Sequence, residues 1–160
     1  MIQAFDLSYL SRARVWQAVD PFDGSARPTS IAIELLVPRG PRSEYALLGG
    51  SVHQDLTGIL VRCPEDQGRW QESLVADGDE VRRGLPLEYR EAVLREGSQA
   101  ALEQSVRGAI AYDCAAHGSI GSSPALFGRL AAAIVTLLAS PERAANEDYV
   151  RKLLEEARKA

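Results

Sequence analysis

Gly84-Leu-Pro86-Leu-Glu88-Tyr89, then the apolar run Ala109-Ile-Ala-Tyr-Asp-Cys-Ala-Ala-His117, then Gly118-Ser-Ile120-Gly-Ser122-Ser123 closed by Pro124 and Phe127: this stretch decides the fold. Pro86 suits the first turn of a helix, and Glu88 favours the positive end of its dipole. The helix is expected over Leu87 to about Gln104, with Tyr89, Val93, Leu94, Ala101 and Leu102 as its apolar face. Gly97 interrupts its interior, which points to close packing against a sheet. Gly108 to Ala116 reads as a buried strand. Ser123 is a plausible N-cap and Pro124 fits the first position of a second helix, running to about Ala139 with Leu126, Phe127, Leu130, Ile134, Leu137 and Leu138 inward. Ser140-Pro141 stops it. Asn146 then caps a last helix through Lys159, with the stripe Val150, Leu153, Leu154 and Ala157. That stripe is either core or a homodimer seam.

Outward from this half, Ser11 to Asp20 and Thr29 to Pro38 alternate as strands, the second through Ile31, Ile33, Leu35 and Val37. Residues 1–11 read as a lead-in. Asp20 to Pro28 reads as a loop, given its prolines and Asp23-Gly24. Tyr45 to Val52 and Thr57 to Cys63, joined by His53-Gln-Asp55, extend an antiparallel meander. Trp70 to Val75 is a short-strand candidate. Asp77-Gly78-Asp79-Glu80 reads as a hydrated acidic turn. The expectation is one domain over 1–160: a strand-rich half (1–83), a helix-strand-helix core (84–139) and a C-terminal helix (140–160).

Composition narrows the class. With 160 residues and 46% hydrophobic content the chain can bury a core. No apolar run approaches the ~20 residues of a membrane span, and the N-terminus lacks a basic and a long apolar region, so no secretory signal is expected. Cys63 and Cys114 lack metal-type spacing and read as reduced thiols of a cytoplasmic protein. A net charge of −4 argues against a general nucleic-acid glue, although a local basic tip on an acidic body is compatible with it. No Gly-x-x-x-x-Gly-Lys-Ser/Thr loop is present, so no nucleoside triphosphate is expected. Asp20, Asp23 and Asp55 lack a cation-loop pattern, and neither a metal nor a cofactor is expected.

The site candidate is the loop His117, Gly118, Ser119, Gly121, Ser122 and Ser123. Free N–H groups at a glycine-rich helix start favour an anion such as phosphate, and the same groups are also commonly satisfied by caps or water. Phe22, in the other loop, could stack on a base. Ser122 or Ser123 beside His117 could also be drawn as a nucleophile pair, against the simpler use of such serines as turn and cap.

Pro86, Glu88 and Tyr89, with Ile120, Gly121, Ser122, Ser123 and Phe127, resemble two signatures of the fourth domain of translation elongation factor G and the tetracycline-resistance ribosomal protection proteins. The resemblance covers about Gly84 to Ala139. It implies an α+β fold: a four-stranded or slightly larger, mostly antiparallel sheet, two helices on one face and a left-handed βαβ crossover, here with an added C-terminal amphipathic helix. It implies that the loop Asp20–Pro28 (Phe22, Asp23, Gly24, Arg27) and the loop His117–Ser123 meet at one tip. In the family this tip contacts transfer and messenger RNA in the ribosome. Gly118 stands where the family has a histidine, and Gly121 where it has an aspartate. The expectation is a standalone, non-enzymatic module without the GTPase domain. It binds ribosome or structured RNA through the tip; the alternative is a protein-interaction or dimerisation module that keeps the fold without RNA binding.

Overall fold

The computed structural model describes residues 2–8, 11–75 and 78–159. Seven strands, β1 (Ile2–Ser8), β2 (Ser11–Val19), β3 (Ala26–Arg39), β4 (Arg42–His53), β5 (Gly58–Val61), β6 (Val81–Arg83) and β7 (Ala109–Gly118), share one sheet. Four helices accompany them: α1 (Leu87–Glu103), α2 (Pro124–Ala139), the single turn α3 (Pro141–Ala144) and α4 (Glu147–Lys159). The α+β class and the helix-strand-helix order of the C-terminal half follow the sequence reading. The sheet is larger than four strands. The expected lead-in is the edge strand β1, antiparallel to β2.

Strand order is β1-β2-β3-β4-β7-β5, with β6 also on β7. The expected antiparallel meander ends at β4. The connection after His53 is tight, so β5 runs opposite to β4. Strand β7 also runs opposite to β4 and inserts between the two, which leaves β5 and β7 parallel neighbours, Ile59 facing Ile110. The free edge of β7 is thereby shared, β5 covering Ala109–Tyr112 and β6 covering Ala116–Gly118.

Alternation of strand side chains gives the sheet two buried faces. Val15, Ile31, Ile33, Leu35, Leu48, Ile110 and Tyr112 join Leu126, Phe127, Leu130 and Ile134 of α2 in the larger core. Helix α1 contributes Tyr89, Ala92, Val93, Gly97 and Ala100; the expected Leu94 and Leu102 instead face solvent, because the glycine and alanines make the close contact. A β-carbon on Gly97 would come 2.6 Å from the Tyr112 hydroxyl, which donates to the Ala131 carbonyl at 2.7 Å. Val150, Leu154 and Ala157 of α4 are buried in the larger core of the chain.

The second face holds Trp16, Ala32, Tyr45, Leu47, Cys114 and Ala116, and the segment 64–75 covers it with Trp70 and Leu74. The expected strand over Trp70–Val75 does not form; only Arg69 bridges to Arg82, and Trp70 works as a plug. Glu34, fully buried in this face, accepts from Arg14 Nε at 2.5 Å, the Tyr45 hydroxyl at 2.7 Å and the Leu74 amide at 3.0 Å. A buried carboxylate is tolerated when paired and hydrogen-bonded in this way. It fastens the covering segment to the sheet.

Candidate functional site

The loop after β7 is built by its neighbours as much as by itself. Ser123 caps α2, accepting from the Leu126 amide at 3.2 Å and donating to Glu44 Oε1 at 2.9 Å. Ser122 Oγ accepts from the Gly118 amide at 2.8 Å and donates to the Tyr45 carbonyl at 2.5 Å. The Tyr45 amide in turn donates to the Gly121 carbonyl at 2.7 Å. Ser119 donates through both its amide and its hydroxyl to the Glu80 carbonyl. The helix start expected at this position is present, with the serines in the cap and turn roles.

The anion-attracting character of the loop is met from inside the chain. The Ile120 amide donates to Asp79 Oδ1 at 3.1 Å and the Gly121 amide to Asp79 Oδ2 at 2.9 Å. A carboxylate receiving two backbone N–H groups sits where a phosphate would. Glycine is required at both ends of this contact: a β-carbon on Gly118 would overlap the Asp79 carboxylate, and one on Gly121 would overlap the Ser43 carbonyl. Asp79 was expected on a hydrated acidic turn. The fold turns it inward, whereas Asp77 of the same run lies outside the described residues. Glu80, at the surface, bonds Arg82 and Arg69, and these contacts hold its carboxyl below the usual range.

His117 is buried and its Nδ1 lies 3.1 Å from the Gly84 carbonyl, with the Tyr89 ring alongside. The Ser122 and Ser123 hydroxyls are directed to Tyr45 and Glu44 instead, so the imagined serine-histidine pair is not assembled.

The expected meeting of two loops at one tip does not occur. Rows of the ladder run Ala13–Leu35–Ala46–His117 at one end of the central strands and Ser30–Ser51–Ala111 toward the other, so the two loops are rooted at opposite ends. Left-handed backbone at Ala18 (φ 58°) and Thr29 (φ 55°) marks where the β2–β3 hairpin departs from regular pairing. The hairpin reaches over the second face, where the Phe22 ring lies 5.1 Å from that of Trp70 and 4.2 Å from the Arg83 guanidinium. Asp23 accepts from the Ser25 amide and Gly24 turns the chain at φ 73°. Arg27 is ion-paired to Asp113 and Asp20; burial opposes its charge, but the two carboxylates outweigh burial and hold its pKa above the ordinary value. The hairpin packs on Trp70 and Arg83 and pairs with Asp113, whereas the hydrogen-bond partners of the His117–Ser123 loop are Asp79, Glu80, Tyr45, Glu44 and Gly84.

One cluster was not read from the sequence. Ser51 Oγ lies 3.1 Å from both His53 Nε2 and Asp113 Oδ2. Asp113 occupies a β-bulge, opposite the Gly49/Gly50 register shift, and sequence spacing carries no sign of that bulge. The serine stands between histidine and acid, so the acid does not orient the imidazole as a catalytic triad requires. A recess of about 610 Å³ adjoins the His117–Ser123 loop, bounded by Trp70, Val75, Val81 and Ile120. Among the described residues no helix is long and apolar enough to cross a membrane. Comparison of the chain with models of protein families, with curated proteins and with solved structures finds no match.

Proposed function

We propose that this chain is a non-enzymatic module similar to the fourth domain of elongation factor G, and that its His117–Ser123 loop binds a protein partner. In this reading the family's left-handed crossover falls on β5–α1–β7. The observation that carries the choice of partner is the Asp79 carboxylate on the Ile120 and Gly121 amides. Those donors are spent, and a negative group already stands where a nucleic-acid phosphate would approach. Arg27, the cation expected beside them, is committed to two acids at the other loop. What the loop presents outward is Ile120, 67% exposed, beside the recess bounded by Trp70 and Val75. An exposed branched side chain next to an aromatic-lined hollow is suited to a protein surface.

The RNA reading makes a different forecast, and two measurements separate them. Ribosomes and structured RNA bound through phosphates are gripped hardest at low salt and released steeply as salt rises. Sedimentation of the full chain with ribosomes from 50 to 300 mM salt, chosen as a range around physiological strength, is expected to show no salt-sensitive association. A photo-crosslinking residue at position 120 is expected to capture protein. Salt-sensitive co-sedimentation, with crosslinks to RNA, would establish the RNA reading instead.

A further inference from the structure

At the end of the sheet far from the His117–Ser123 loop, a cavity of about 600 Å³ opens between the sheet and the C-terminal ends of α1 and α2. This volume lies in the range of small-molecule sites. Ile31, Val52, Val106 and Leu137 give it apolar walls, while Gln54, Gln104 and Arg107 line it with polar groups. Arg107 is the one charged residue in the described lining, is solvent-exposed, and makes no ion pair among the described residues.

The backbone around the cavity is unusual. The described residues contain three non-glycine positions with positive φ, Ala18 (58°), Thr29 (55°) and Ser105 (51°), and all three line it. A β-branched residue in this region is a genuine outlier. Such strain gathers at ligand clamps and active sites. Ala18 and Thr29 accompany the departure of the β2–β3 hairpin, but Ser105 belongs to a separate element. It ends α1 in a Schellman turn, with its amide donating to the Leu102 carbonyl and the Val106 amide to the Ala101 carbonyl. Glycine is the default residue at that position. The chain keeps serine there, and with it a hydroxyl on the cavity rim.

We propose that this cavity binds a small organic acid with an apolar body and a single carboxylate. The carboxylate meets Arg107 near Ser105 and Gln104. The apolar body lies on Val52, Val106 and Leu137. The C-terminal ends of both α1 and α2, the negative ends of their dipoles, face the cavity, so one carboxylate is accepted only against the full charge of Arg107, and a second, with no cation left in the described lining, is disfavoured.

Methyl NMR of the full chain, titrated with octanoate and separately with 1-octanol, tests the site. Octanoate is expected to shift the Val52, Val106 and Leu137 methyls saturably, at one equivalent, and to bind more tightly than the alcohol. Arg107→Gln, at an exposed position, is expected to weaken octanoate at least about tenfold, as loss of a charged hydrogen bond does, while leaving octanol nearly unchanged. Ser105→Gly is expected to leave the melting temperature undiminished and yet weaken octanoate. Ala139→Trp, which fills the cavity mouth, is expected to abolish the shifts. Absence of saturable shifts at those methyls, equal affinity for acid and alcohol, or indifference to Arg107→Gln would overturn the proposal. The loop reading above is independent of it.

Discussion

Gly97 sits in mid-helix because Tyr112 leaves no room for a methyl group. Alanine there would gain about 1 kcal/mol of helix propensity. It would also press within 2.6 Å of a buried hydroxyl that is held by Ala131, and forced overpacking costs about 1–3 kcal/mol. Gly97→Ala is therefore expected to lower stability in urea unfolding. The same change in a Tyr112→Phe background, where the nearest atom is gone, is expected to cost less or to stabilise; equal costs in both backgrounds would mean the contact is not what selects glycine. The interruption of the helix was legible in the sequence, although its partner fifteen residues on was not named. Asp79 was misread for a related reason. In an acidic run a carboxylate facing water and one capping two amides forty residues away have the same local signature. Only the pairing of Val81 with Gly118 brings them together.

Elements with strong local codes were legible nearly to the residue. Helix α2 has its N-cap, its proline and its apolar stripe in order, and it begins and ends where those signals place it. Replacing the capping Ser123 by alanine is expected to cost about 1 kcal/mol, read as a lower urea midpoint at unchanged m-value; an unchanged midpoint would show that Ser123 contributes nothing as a cap. Strands whose identity depends on distant partners were legible only in part. Thr57 to Cys63 looks like one more meander strand, and its parallel pairing follows only from the insertion of β7 beside β4. Trp70 carries strand propensity but belongs to an irregular cover, because it fills a hollow between Arg14 and Phe22 rather than extending a ladder. Asn146 is the cap its position before the α4 stripe implies, its Oδ1 accepting from the Tyr149 amide at 3.1 Å.

At the scale of the whole molecule, the central strands are buried on both faces, by helices on one and by the segment 64–75 on the other. The helical face was legible from period-3.6 stripes; the second was not, since its cover has no periodicity at all. Both cores hold phenols and thiols away from water. Burial raises Tyr45, with Glu34 adding to it, raises Tyr112, and pushes Cys63 up to about 12. Below the ordinary tyrosine value of 10.0 these phenols are protonated folded or unfolded, and above it only the unfolded chain releases the protons. The unfolded chain releases the Cys63 proton already from 9.0, so stability is expected to fall as pH rises beyond about 9 and more steeply beyond about 10, seen as a declining melting temperature; a flat profile to pH 11 would contradict the burial of these groups. At the loop, the fold supplies its own anion, Asp79, to the Ile120 and Gly121 amides, and the proposal of a protein partner rather than a phosphate-bearing one rests on this. Residue-resolved amide hydrogen exchange on the native chain and on Asp79→Ala tests that claim directly. Ile120 and Gly121 are expected to be protected in the native chain and to exchange about tenfold faster or more in the variant, with Leu126 under its Ser123 cap unchanged. Fast exchange of both amides in the native chain, or rates indifferent to the loss of Asp79, would contradict it.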